Sequence, residues 1–122
     1  MRKIDAVNAY RVLMQATLGA CTTEERLQVM GCVRELRVVA DEYQRVLDDA
    51  MKANRDLAES DAAEYQRVLN ATMQPIAEEQ VELTARLTPE CIAHIGEGLP
   101  QATVGDLMWI EDTCGTSCLN DK

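Results

Sequence analysis

Cys91-Ile-Ala-His94 is followed, some twenty residues on, by Cys114-Gly-Thr-Ser-Cys118. Three thiolates and one imidazole are the ligand set of a tetrahedral zinc site, and such a site would pin a short C-terminal segment that has little core of its own. The spacing departs from the C-x2-C knuckle in both halves. A histidine on a short helix is commonly a partly buried polar residue. The expectation is therefore a chain without a cofactor, with zinc on Cys91, His94, Cys114 and Cys118 as the alternative. A redox pair between Cys114 and Cys118 has less support, because it lacks the C-x2-C geometry of a dithiol oxidoreductase.

Other chemistry is sparse. There is a single histidine, no G-x-S-x-G nucleophile turn and no phosphate loop. Glu78, Glu79 and Glu82 could be drawn as a paired acid/base site, but neighbouring acids at a helix end are usually a solvated face. The chain is expected to be a non-enzyme, with these three glutamates as candidate docking residues. Trp109 is either the anchor of a short terminal helix or an aromatic interface residue. Tyr43 and Tyr65 open the two copies of YQRVL, at 43–47 and 65–69. In each copy Tyr, Val and Leu stand at i, i+3 and i+4, the spacing of a packing stripe, with Gln and Arg left outside. A duplicated binding site is the competing reading, so both tyrosines and Trp109 are interface candidates.

The elements that must position these residues are helical. No Phe, one Trp and three Tyr leave an apolar fraction made of Ala, Val, Leu, Ile and Met, which favours helix–helix packing over a sandwich or barrel. Ile4, Val7, Tyr10, Leu13, Met14 and Leu18 mark a first helix from Lys3 to Leu18, with Gly19 as its C-terminal glycine. Thr22 and Glu25 have capping-box spacing. From there Val29, Leu36, Tyr43, Ala50 and Leu57 recur every seven residues, shadowed by Cys32, Val39, Val46 and Ala53. Such a helix is too long for the first helix alone to cover. A turn is expected near 59–61, where Ser60 and Asp61 are good caps. A third helix then starts near Ala62 and folds back, with Pro75 kinking or ending it.

Beyond it, Val81, Leu83, Ala85 and Leu87 alternate with polar residues, the period of a short half-buried strand near 80–87. An extension of the preceding helix is the alternative. Thr88-Pro89-Glu90 starts a short helix ending near Gly96 or Gly98, and Thr103 with Asp106 starts a last one. The expected fold is mainly α: a single domain over 1–122. A long antiparallel helical hairpin or bundle spans 1–76. A short strand, a small C-terminal helical module and a loose tail beginning at Cys114 span 77–122.

The net charge is −9 and uneven: residues 1–68 carry ten Lys/Arg against twelve Asp/Glu, whereas 69–122 carry only Arg86 and Lys122 against nine acids. That balance opposes direct nucleic-acid binding and allows docking to a basic partner. No stretch has the apolar length of a membrane span, and MRKIDAVNAYRVLMQ places charges where a signal peptide is apolar. A cytoplasmic setting and reduced cysteines are expected.

KIDAVNAYRVL, EERLQVMGCVRELRVVADEYQRVLDDA and ATVGDLMWIEDT together resemble small helical proteins of bacteriophages and prophages, especially those of gut bacteria. The resemblance covers the N-terminal hairpin and the last helix, and VELTARLTPE is similar to the segment that follows the middle section of such proteins. The cysteines are not part of the pattern. What it implies is a phage or mobile-element setting, in the bacterial cytoplasm or the virion. Two roles compete there: a homo-oligomeric protein-interaction module in virion or tail assembly, and an acidic anti-defence inhibitor of the anti-CRISPR kind.

Overall fold

The computed structural model describes residues 1–116, in which six helices follow one another: α1 (Lys3–Met14), α2 (Thr23–Ala53), α3 (Arg55–Ser60), α4 (Ala62–Ala77), α5 (Pro89–Glu97) and α6 (Val104–Cys114). The fold is mainly α, and no helix among the described residues is long and apolar enough to cross a membrane.

Local capping starts most of these helices. Thr22 and Glu25 form a complete capping box on α2, as do Thr103 and Asp106 on α6. Asp61 accepts the Glu64 N–H at 3.1 Å, and Thr88 accepts the Cys91 N–H at 3.2 Å ahead of Pro89. Each cap satisfies backbone donors that the first turn leaves without a partner. The expected turn at 59–61 is present, and α2 has in addition broken at Asn54, which leaves helical geometry at φ −116°, ψ 22°. Its side-chain amide donates to the Ala50 carbonyl at 2.7 Å. Pro75 lies inside α4, which runs two residues past it to Ala77.

Helix α1 is shorter than its periodicity implies, ending at Met14 rather than Leu18. The Thr17 N–H, which a continuing helix would spend on Leu13, donates instead to the Gly98 carbonyl at 3.2 Å. Gly98 lies so close that a β-carbon there would be 1.9 Å from the Thr17 carbonyl oxygen. At the other end, α1 has no side-chain cap and is held by backbone pairing: Val81 N–H to Met1 O at 2.7 Å and Lys3 N–H to Glu79 O at 2.7 Å.

The strand expected near 80–87 does not form; its two ends make single bridges, Arg2 with Gln80 and Leu87 with Gly115. The alternation itself is real. Leu83 and Leu87 are buried while Glu82 and Thr84 face solvent. Side chains of α2 take the place of a partner strand: Glu35 accepts the Thr84 and Ala85 N–H groups, and Gln28 accepts the Thr88 N–H. The tail beginning at Cys114 is tied down over 114–116. Leu87 N–H donates to Cys114 O at 2.8 Å, Thr116 N–H donates to Leu87 O at 2.9 Å, and Cys114 and Gly115 are buried.

One core cluster draws on both halves of the chain. Ala6, Ala9 and Leu13 of α1 meet Val29, Cys32 and Leu36 of α2, and the space between is filled by Leu83, Leu87, Cys91, Ile92, Ile95, Ile110 and Cys114. Alanines on α1 allow the close helix approach that this packing needs. The later part of α2 is covered on one side by α4, which buries Leu69 and Met73, and there Tyr43, Val46 and Ala50 are only half-buried.

Candidate interaction surface

The sulfur and imidazole groups are committed to packing. Cys21, Cys32 and Cys91 are free and buried, and Cys114 is buried with them. Burial, reinforced by the neighbouring Cys114, pushes the Cys32 thiol up to about 12; burial, then Cys21 and Glu25, does the same for Cys91, to about 12. Both are held as neutral thiols, unsuited to nucleophilic work. Cys91 donates to the Glu25 carbonyl at 3.6 Å, and His94 turns its Nδ1 to the Glu25 carboxylate at 2.8 and 3.0 Å. Glu25 also accepts the Thr22 N–H at 2.9 Å. That backbone bond, and after it His94, outweigh partial burial and hold the Glu25 carboxyl below its ordinary value. Among the described residues no three His, Cys, Asp or Glu side chains converge on a metal-sized site. Cys118 lies outside the described residues.

The acidic trio divides. Glu78 pairs with Arg2 at 3.2 Å, and Glu79 pairs with Lys3 at 3.1 Å, the same ammonium that lies 3.7 Å from Glu42. Both are thereby framework contacts that hold the N-terminus to the end of α4. Glu82 is exposed.

The repeated word behaves alike in its two settings. Tyr43, Val46 and Leu47 turn inward, as do Tyr65, Val68 and Leu69, while Gln44, Arg45, Gln66 and Arg67 are exposed. Even the glutamines match: Gln44 donates to Asp48 and Gln66 to Asn70, each four residues on and each at 3.0 Å. Tyr65 also borders an open depression of about 380 Å³ with Met51, Lys52 and Arg55. Trp109 packs against the core cluster and walls a cleft of about 360 Å³ with Val12, Leu99 and Pro100.

The strongest surface feature lies on the outward side of α2, which no motif marked. Leu27, Met30 and Val38 are 62%, 44% and 67% exposed. With Arg34 they stand at steps of three, four and four, which places them on one face, opposite Cys32 and Leu36. Beside it opens a groove of about 310 Å³ bordered by Met14, Leu18, Met30, Val33 and Arg34, with Met14 58% exposed. Three of the acids of α2 are turned to other partners: Glu25 to His94, Glu35 to Thr84 and Ala85, and Glu42 toward Lys3. The charged side chains left exposed between Arg26 and Val38 are Arg26, Arg34 and Arg37, with Asp41 one turn further on, 3.8 Å from Arg37. An acidic protein thus presents a cationic, apolar stripe. The sequence offered one signal for it, the excess of apolar residues over what the heptad seam can use.

Compared with models of protein families, with curated proteins and with solved structures, the chain finds no match.

Proposed function

We propose that the protein is a non-enzymatic protein-interaction module that self-associates through the outward face of α2, in the virion- or tail-assembly setting that its resemblance to phage proteins implies. The observation that carries this reading is the stripe of Leu27, Met30 and Val38, continuous with the groove beside Met14. Contiguous exposed apolar residues ringed by arginines have the composition of an interface, in which methionine and arginine are enriched. The heptad seam itself is used within the chain, so association has to use the opposite face. The inhibitor role depends on a broad acidic patch, and pairing of Glu78 with Arg2 and Glu79 with Lys3 removes two of its acids.

Light scattering after gel filtration tests the reading. The expected result is a mass above the 13.6 kDa of one chain, reduced to one chain by Met30→Asp with Val38→Asp at unchanged melting temperature. A monomer at the highest soluble concentration would overturn self-association and turn the search to a heterologous host target.

A further inference from the structure

Helix α6 carries the counterpart of the α2 stripe. Its buried residues are Ile110, Thr113 and Cys114, and the opposite face holds Val104 and Met108, 75% and 60% exposed, followed by Glu111 and Asp112. These stand at i, i+4, i+7 and i+8, one side of a helix. Every charged residue on α6 is acidic: Asp106, which is used in the cap, Glu111 and Asp112. The α2 face is apolar and cationic; the α6 face is apolar and anionic. From Val104 to Glu111 is seven residues, the same interval as from Leu27 to Arg34. A parallel alignment sets Val104 and Met108 against Leu27 and Met30 and brings Glu111 and Asp112 to Arg34 and Arg37. The apolar run from Leu27 to Val38 spans about 16 Å of helix, enough to receive the whole of α6 at its rise of about 1.5 Å per residue.

We propose that the occupant of the α2 stripe is α6 of a second copy of this chain, so that the protein associates head to tail. This rests on the self-association reading above and adds which surfaces meet. An interface between two different patches does not close on itself in a dimer. It leaves one free α2 face and one free α6 face, and so builds a ring or a filament. Charge complementarity fixes the register and suppresses α2–α2 and α6–α6 contacts, where like charges would face each other.

The test uses two full-length variants, Arg34→Glu with Arg37→Glu, and Glu111→Lys with Asp112→Lys, with melting temperature as the control for folding. Wild type is expected to form rings or concentration-dependent chains by sedimentation velocity. Each variant alone is expected to be monomeric, because one of its two faces is spoiled. An equimolar mixture is expected to reassemble into rings or alternating chains, because the intact α6 of the first variant meets the intact α2 of the second and the reversed charges are again complementary at the other junction. Met108→Lys supplies a second way to spoil α6 should the charge pair disturb folding. Oligomers that persist in all variants, or a mixture that stays monomeric, overturn the α2–α6 pairing while leaving self-association standing. A wild-type monomer overturns both.

Discussion

Glu35 receives the backbone of Thr84 and Ala85: its carboxylate accepts the Thr84 N–H at 2.9 Å, the Thr84 hydroxyl at 2.9 Å and the Ala85 N–H at 2.7 Å. A helix side chain here supplies what an adjacent strand would have supplied. Hydrogen bonds to an ionised acceptor are each worth roughly 1.5–3 kcal/mol, less where solvent competes. Glu35→Ala should therefore cost about 2 kcal/mol in urea unfolding. Partial burial raises the Glu35 carboxyl, but the bonds from Thr84 and Ala85 outweigh it and leave the group below its ordinary 4.5. A lowered carboxyl contributes stability that is complete above that ordinary value and is lost as pH falls through the lower, folded one. Glu35→Gln should weaken the protein at neutral pH and flatten the acid limb of its stability profile; an unchanged limb would place the acid sensitivity elsewhere.

Leu36 and Val38 are two residues apart on α2 and face opposite ways, one fully buried and the other 67% exposed. Leu36→Ala should cost about 3 kcal/mol by opening a cavity in the core. Val38→Ala should stay within about 0.5 kcal/mol, as surface changes do. Chemical denaturation of the two variants checks the contrast, and a large loss at Val38 in dilute solution would show that the stripe is already covered by another chain.

Gly98 has no room for a side chain. Gly98→Ala would drive its β-carbon to 1.9 Å from Thr17 O, so the 15–21 loop must move away from α5. The expected loss is about 3 kcal/mol, the upper part of the range for overpacking. Gly19 has nothing within 4 Å, and Gly19→Ala should be neutral or stabilising by about 0.5 kcal/mol. Thermal melts of the pair check this.

Cys32 and Cys91, pushed up to about 12, should resist alkylation in the native protein near the ordinary thiol range of about 8.5. Both should react fully once denaturant opens the core. Site-resolved mass spectrometry reads the two states. Rapid native labelling of Cys91 would mean that α5 swings away from α2 in solution.

How much of this was legible beforehand follows from distance along the chain. Thr22, Asp61, Thr88 and Thr103 cap α2, α4, α5 and α6 as their spacing predicts, because a cap is a contact between residues three apart, present in any short window of sequence. The inward turn of Tyr, Val and Leu in both YQRVL copies is likewise a matter of helical period. The tertiary structure decided what depends on remote partners. His94 meets Glu25 across 69 residues, Ala85 meets Glu35 across 50, and the Thr17 N–H leaves α1 for Gly98. Each of these bonds takes up a group that local rules leave open or assign otherwise: a histidine for which metal ligation was only the alternative, a strand donor, a continuing helix. Alternation over 81–87 placed Leu83 and Leu87 inside and Glu82 and Thr84 outside, though Arg86 is as half-buried as Ala85, and a strand also needs a neighbour, whose presence is a property of the assembled fold. The same holds for the outward stripe of α2. Leu27, Met30 and Val38 are apolar in the sequence, and only the packing of α1, α4 and the 80–95 segment onto the other side of the helix leaves them uncovered.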